Sequence, residues 1–392
     1  MSSAIGRPGE GERAVGQGGA LRRHPLFSTA GSASVLSTVL DNEAGGRRLA
    51  RHDRGVHSIR QSFEGNGLFL RRRDLLALGH TDGQIRAAMR RGIVIRARQG
   101  WYALATASTA AVQAVRVGGR LTGLSALKTY GHWTPTTKSL HVVVPAKARA
   151  LRTPHDMRKR RAATRVRGCR VTWHDSDELR AAPTQWRDSV VDALAHVLRT
   201  ADRVTAIVCL DAALHARQEG LEGITRKQLD ELFATAPRRV QTWKRLVDGR
   251  AEAGGETEFR LLCADAGIPF LPQAFIPGVG DTDGQIGPHT YVEVDGSETH
   301  DTPEGIANDA RRSAAAAAKG ARLLRFRYRQ YQQQWSSCVA AMYQALEEDE
   351  ALVKTPVVRY ESPRWARFER RNARMLRQLR TKRTALARGR GR

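Results

Sequence analysis

Acidic residues are scarce in this 392-residue chain, where 39 Asp and Glu stand against 65 Lys and Arg for a formal net charge of +26. So large a basic excess makes a polyanion the expected partner, with nucleic acid first and an anionic lipid surface second. Long apolar runs are missing too: nothing approaches the roughly 18 residues that span a bilayer, so no membrane partner is expected. Cysteine is rare, and Cys169, Cys209, Cys263 and Cys338 are widely spaced with no CxxC pair. This excludes a zinc ribbon or a disulfide framework and suits free thiols in a reducing cytoplasm. The opening residues lack the charged-then-apolar order of a secretory signal, which again gives a cytoplasmic expectation.

At this length more than one core is expected. Residues 1–62 are rich in Gly, Ser, Ala and Arg with no sustained period, and read as a disordered extension. Residues 63–105 have the layout of a winged helix-turn-helix. Leu75, Leu76 and Leu78 belong to a first helix that stops at Gly79. Thr81, with Gln84 three residues on, makes a capping box for a second helix over 82–91. That helix puts Ile85, Ala88 and Met89 on one face and Arg86, Arg90 and Arg91 on the other, and residues 93–102 alternate as a wing hairpin would. A second helix of this kind enters the major groove while the wing lies on phosphate. Arg86, Arg90 and Arg91 are therefore candidate DNA contacts on the helix, and Arg96 and Arg98 on the wing.

The stretch resembles the N-terminal winged-helix domain of AbiEi-type antitoxins. The likeness continues through the GGRLT turn at Gly118–Thr122, SAL at Ser125–Leu127, GHW at Gly131–Trp133 and LHVVVP at Leu140–Pro145. It implies an α/β extension over 106–180. His141, on its apolar strand, reads as a packing residue. Arg149–Arg170 is a basic run that reads either as a solvated loop or as a segment tracking phosphates. Residues 181–253 carry apolar positions at spacings of three and four and read as a helical connector.

From Gly254 the pattern changes, and the acidic residues gather. A helix over 256–266, strands over 273–277 and 286–295, a helix over 303–319 and a strand over 322–328 would build a mixed sheet with flanking helices. Glu293 and Asp295, two apart on one strand, project to one face. With Asp283 just before that strand, three oxygen donors can converge on a hard divalent ion, and His300 follows in the next loop.

Residues 254–348 resemble the very-short-patch-repair-like endonucleases of the PD-(D/E)XK superfamily. The likeness rests on GGETEFR at Gly254–Arg260, GVGDTD at Gly278–Asp283, VEVDGSETH at Val292–His300, NDARR at Asn308–Arg312 and GARLLRF at Gly320–Phe326. It implies Asp283 and Glu293 as ligands of Mg²⁺ or Mn²⁺, Asp295 and His300 as active-site partners, and Glu256 as the helix carboxylate that completes the site. Gly284 departs from the bulky apolar residue usual after the aspartate, and Asp281 offers a competing carboxylate. Arg311, Arg312, Arg325, Arg327 and Arg329 read as clamps on a nucleic-acid backbone or as solvated surface. Residues 349–392 form a basic tail in which Trp365, Phe368, Met375, Leu376 and Leu379 fall near helical spacing, as in a basic amphipathic helix lying on DNA.

The expected class is thus α+β and multidomain: a winged helix-turn-helix, a helical connector and a restriction-endonuclease-like α/β domain with a mixed sheet. The expected function is a metal-dependent DNA endonuclease, with homodimerisation left open. The alternative is a non-catalytic DNA-binding regulator of antitoxin type with a degenerate nuclease fold.

Overall fold

A computed structural model of the chain describes residues 59–160, 168–173, 185–296, 303–354, 362–373 and 377. Its class is mixed α/β with mixed sheets. The described chain opens with a helix at 59–66 (α1), β1 at Phe69–Arg71, α2 at Arg72–Ala77, α3 at Asp82–Arg90, β2 at Val94–Arg98 and β3 at Trp101–Leu104. The three strands form an antiparallel sheet in the order β1-β3-β2. Gln84 returns its carbonyl to the backbone N–H of Thr81 at 2.8 Å while the Thr81 hydroxyl accepts from Gln84 N, so the capping box starts α3 as its residues predict. Ile85 and Ala88 then bury against Ile59, Phe63, Leu70, Leu75 and Val94.

Two expectations are corrected here. Residues 59–62, read as part of a disordered extension, begin α1, because Ile59 and Phe63 lie one helical turn apart and fill this core. Leu78, read as part of the first helix, is instead its C-cap, since α2 ends at Ala77. The remainder of the expected extension, residues 1–58, lies outside the described residues.

The middle of the chain holds α4 (Thr109–Val117), β4 (Arg120–Leu121), α5 (Gly123–Thr129), β5 (Leu140–Val144) and β6 (Cys169–Trp173), then α6 (Val190–Thr200), α7 (Arg203–Gln218), α8 (Arg226–Thr235) and α9 (Arg238–Gln241). One hydrophobic interior runs from Ala114 through Val142 and Leu194 to Val240, so the extension and the connector, read as separate units, share a core. Within it Arg120 Nε and Asp188 form a buried pair at 2.5 Å. His141 is buried and packs edge-on against His196.

The C-terminal elements are α10 (Gly254–Ala266), β7 (Leu271–Ile276), β8 (Gly280–Gln285), β9 (Thr290–Asp295), α11 (Pro303–Ala318), β10 (Arg322–Arg327), α12 (Tyr328–Gln333), α13 (Trp335–Lys354) and α14 (Pro363–Arg371). The sheet order is β10-β9-β8-β7, with β10 parallel to β9 and the other pairs antiparallel. The glycine-rich segment before the acidic strand is thus itself a strand, β8, and Asp283, read as standing just before a strand over 286–295, sits in it. The expected strand over 286–295 shortens to Thr290–Asp295, because residues 286–289 make the turn between β8 and β9.

Asp211 on α7 ties this part to the preceding helices. Its Oδ2 accepts from the Thr257 hydroxyl at 3.0 Å and from Arg260 Nη2 at 2.7 Å, both on α10, and its Oδ1 accepts from the N–H groups of Asp248 and Gly249. The threonine and arginine of GGETEFR therefore serve docking. Trp365 on α14 is buried at 2 % exposure and α14 packs against β7, so this aromatic residue of the tail joins the protein's own core; Met375, Leu376 and Leu379 lie outside the described residues. All four cysteines are buried and none is in a disulfide. Among the described residues no helix is long and apolar enough to cross a membrane.

Candidate active site

Asp283, Glu293 and Arg325 lie in one row across β8, β9 and β10. Arg325 pairs in register with Glu293, Arg327 with Asp295, and Gly284 with Val292. The backbone N–H of Val294 donates to Asp283 Oδ2 at 2.6 Å, fixing that carboxylate beside Glu293. From the other side α10 brings Glu256, whose carboxylate accepts from the N–H groups of Glu252 and Ala253 at 3.1 and 3.0 Å and from Gln273 Nε2 at 2.9 Å. Glu256 therefore caps its helix and also faces the acidic row.

The electrostatics follow from this crowding. Burial, reinforced by the Asp283 charge, pushes the Glu256 carboxyl up to about 8. Burial, with the charges of Glu293 and Asp295 adding to it against the Val294 hydrogen bond, pushes Asp283 up to about 7. Asp295 is also raised, by burial first, while Arg325 opposes. Glu293 is treated differently: Arg312 Nη2 on α11 reaches Oε1 at 2.5 Å, and Arg325 Nη2 holds Oε2. Arg325 in turn pairs with Asp309. Arg312 and Arg325, read as backbone clamps, thus engage the site's own carboxylate, linking NDARR to GARLLRF through Glu293.

A cleft of about 480 Å³ adjoins the row at Glu256 and Asp295; Tyr328 and Tyr331 also line it and, from the loop after α5, Trp133 and Thr134, while Asp283, Glu293 and Arg325 do not. Trp133 belongs to the GHW motif of the first half. Its ring fills the space in which a Cβ at Gly254 would stand, which accounts for glycine there. The cleft wall is therefore built from both resemblance regions.

Asp283, Glu293, Asp295 and Glu256 are brought together; His300 lies outside the described residues. Asp281, the competing carboxylate, is exposed, and its backbone carbonyl accepts from Arg312 at 2.7 Å. The missing bulk at Gly284 has a physical account, because the Phe270 ring occupies the volume that a side chain there would need. Gln273 was missed by sequence reasoning. It sits in β7 at φ +52, a region that non-glycine residues rarely adopt, and its amide holds Glu256. A lone glutamine in an apolar strand carries no signal for this role.

Among the described residues no group of three or more His, Cys, Asp or Glu side chains is assembled as a metal cage. The donor chemistry nevertheless suits a hard divalent cation. Two carboxylates with raised pKa values, buried Glu256 and half-buried Asp283, are short of positive charge, and each Glu293 oxygen keeps a lone pair beyond its arginine bond. Asp283 and Glu293 would hold such an ion, with Glu256 beside them.

On the N-terminal part, Arg86 and Arg90 on α3, Arg91 at its C-cap and Arg96 on β2 are exposed, while Ile85 and Ala88 turn inward. Asp82 at the start of α3 pairs with Arg72 of α2 at 2.5 Å. Arg98 separates from the others: it is half-buried and turns toward Ala150. No protein-family model matches the chain, and no curated protein matches it.

Proposed function

We propose that the chain is a metal-dependent DNA endonuclease that hydrolyses phosphodiester bonds. In this reading residues 59–104 are a winged helix-turn-helix reader and residues 254–354 a restriction-endonuclease-like catalytic unit. The observation that carries it is the acidic row of half-buried Asp283, buried Glu293 and half-buried Asp295 facing buried Glu256, where the arginines neutralise Glu293 and the crowding left on Glu256 and Asp283 is what a divalent cation would relieve. The order helix, strand, helix, helix, hairpin before residue 105 supports the reader, and so do the exposed Arg86, Arg90, Arg91 and Arg96. The motif likenesses to AbiEi-type antitoxins and very-short-patch-repair-like endonucleases support both parts.

Mg²⁺ or Mn²⁺ bound by Asp283 and Glu293 would supply a more acidic water and neutralise charge developing at phosphorus. The protein's own groups do the rest. Glu256, which titrates near 8, carries a proton at neutral pH and can exchange it with a water in the cleft. Val294 N–H orients Asp283, and Arg312 and Arg325 fix Glu293 and place positive charge beside the phosphate path.

The test is cleavage of supercoiled plasmid in Mg²⁺ or Mn²⁺ by wild type, Asp283→Asn and Glu293→Ala, with duplex binding measured in parallel. Loss of nicking in both variants with binding intact is the expected result. One observation favours a second reading, a DNA-binding regulator with a degenerate nuclease fold: both Glu293 oxygens are engaged by arginines. Tight binding by wild type without cleavage in either metal would select it.

A further inference from the structure

Four arginines meet in a second cleft, far from the acidic row in sequence. Its volume is about 430 Å³, and Arg96 and Arg98 of β2 line one side while Arg152, Met157 and Arg158 line the other. Among the described residues none of these guanidiniums is ion-paired with a carboxylate.

The loop on the far side is built, not merely adjacent. Arg116 of α4 donates through Nε to Ala97 O at 3.3 Å and through Nη1 to Pro154 O and His155 O at 3.1 and 3.2 Å, stapling the loop to β2. Thr153 N donates to Lys159 O and Arg152 N to Val117 O, closing the loop on itself and onto α4. Ala150 stands at φ +55, unusual for a residue with a Cβ, and its carbonyl accepts from Arg98 Nη2 at 3.5 Å. Gly118 completes the seat, because a Cβ there would overlap the Arg98 guanidinium. Burial, with the nearby Arg152 charge, lowers the Arg98 pKa, as expected of cations gathered without a counter-charge.

We infer that this cleft is a phosphate-binding site, formed jointly by the wing strand and the 150–158 loop, that grips a backbone phosphate of duplex DNA outside the groove entered by α3. Planar guanidiniums bind phosphate oxygens in pairs, and four around one cleft can do so without a partner carboxylate being displaced. The source of the phosphate rests on the DNA-reader assignment; the phosphate site itself does not.

The experiment measures binding of a fluorescein-labelled duplex to the full chain by anisotropy over a KCl series. It compares wild type with Arg152→Ala, Arg98→Ala, Arg158→Ala and the charge control Lys227→Ala on the exposed face of α8. Arg158 is exposed at the loop rim, so its variant folds even where Arg98→Ala does not. The expected result is on the order of ten-fold weaker binding for the cleft variants at low salt, a log–log salt slope shallower by about one, and no change for Lys227→Ala. Equal losses in the cleft variants and the control would overturn the site. Should wild type bind no duplex at any salt, the reader assignment fails, and thermal stabilisation by inorganic pyrophosphate decides the site separately. Stabilisation lost in Arg158→Ala then retains a phosphate site served by a free phosphate, and no stabilisation of wild type overturns it.

Discussion

The ring of Trp133 covers Gly254, so a loop from the first half of the chain is seated on the first turn of the helix that carries Glu256. Gly254→Ala forces that ring aside. The expected outcome is a loss of about 1–3 kcal/mol in urea unfolding, as for other overpacked contacts, together with a fall in nuclease activity larger than the fall in DNA affinity. Unchanged stability and activity would mean that the loop moves freely and does not shape the cleft.

Asp211 and Arg260 predict a different kind of loss. Their pair is nearly fully buried and shares hydrogen bonds with Thr257 and the 248–249 backbone. Asp211→Ala leaves the Arg260 cation uncompensated and should cost about 3–5 kcal/mol. A calorimetric scan of that variant should also show whether residues 254–354 melt apart from the rest, since the removed carboxylate is a main tie between α7 and α10.

Gly284 and Phe270 form a test by double replacement. Gly284→Val, which supplies the bulk usual in the resembling family, should destabilise by about 1–3 kcal/mol, because the ring of Phe270 already fills the space. Combining it with Phe270→Ala should recover part of that loss, giving a coupling energy of the sign expected for residues competing for one volume. Strict additivity of the two replacements would disprove the competition.

The acidic row has a pH signature. Glu256 and Asp283 titrate near 8 and near 7 in the folded chain, above the ordinary carboxylate range, so the folded state holds protons that the unfolded state releases. Their contribution is fully present at acid pH and is lost as pH rises through those folded values, between about pH 5 and 8. In EDTA, Asp283→Asn should therefore be more stable than wild type at pH 8 and should lose less stability between pH 5 and 8. Added Mg²⁺ should narrow the gap by stabilising wild type alone. A variant less stable than wild type at pH 8 would contradict the crowding on which the proposed function rests.

Local chemistry was readable where neighbours in sequence are neighbours in space. The Thr81–Gln84 box starts α3, and the two-residue spacing of Glu293 and Asp295 puts both on one strand of the site. Contacts that close over long sequence separation were not readable. The pairing of Arg312 and Arg325 with Glu293 depends on α11 crossing the sheet and on parallel registration of β10 with β9. The bend of Gln273 toward Glu256 depends on a φ that no residue type announces. Helix α1 escaped because two apolar residues one turn apart, Ile59 and Phe63, do not make a period in a segment of mixed composition. The bounds of β8 within the glycine-rich GVGDTDG were not readable, because Gly284 stands in strand geometry for a reason that lies across the fold, the Phe270 ring that fills its side-chain volume.

Helix α14 has a consequence for how the folded chain meets other copies of itself. β7 is the outermost strand on its side of the sheet, and such a strand offers unpaired backbone groups to any extended segment that arrives. Arg364 donates to the carbonyl of Gln273 at 2.5 Å, the Ser362 hydroxyl donates to Gln285, and Trp365 is buried beside them. The tail helix thus shields this margin, and chains cut before residue 362 would present a sticky border through which sheets from separate molecules could join and precipitate.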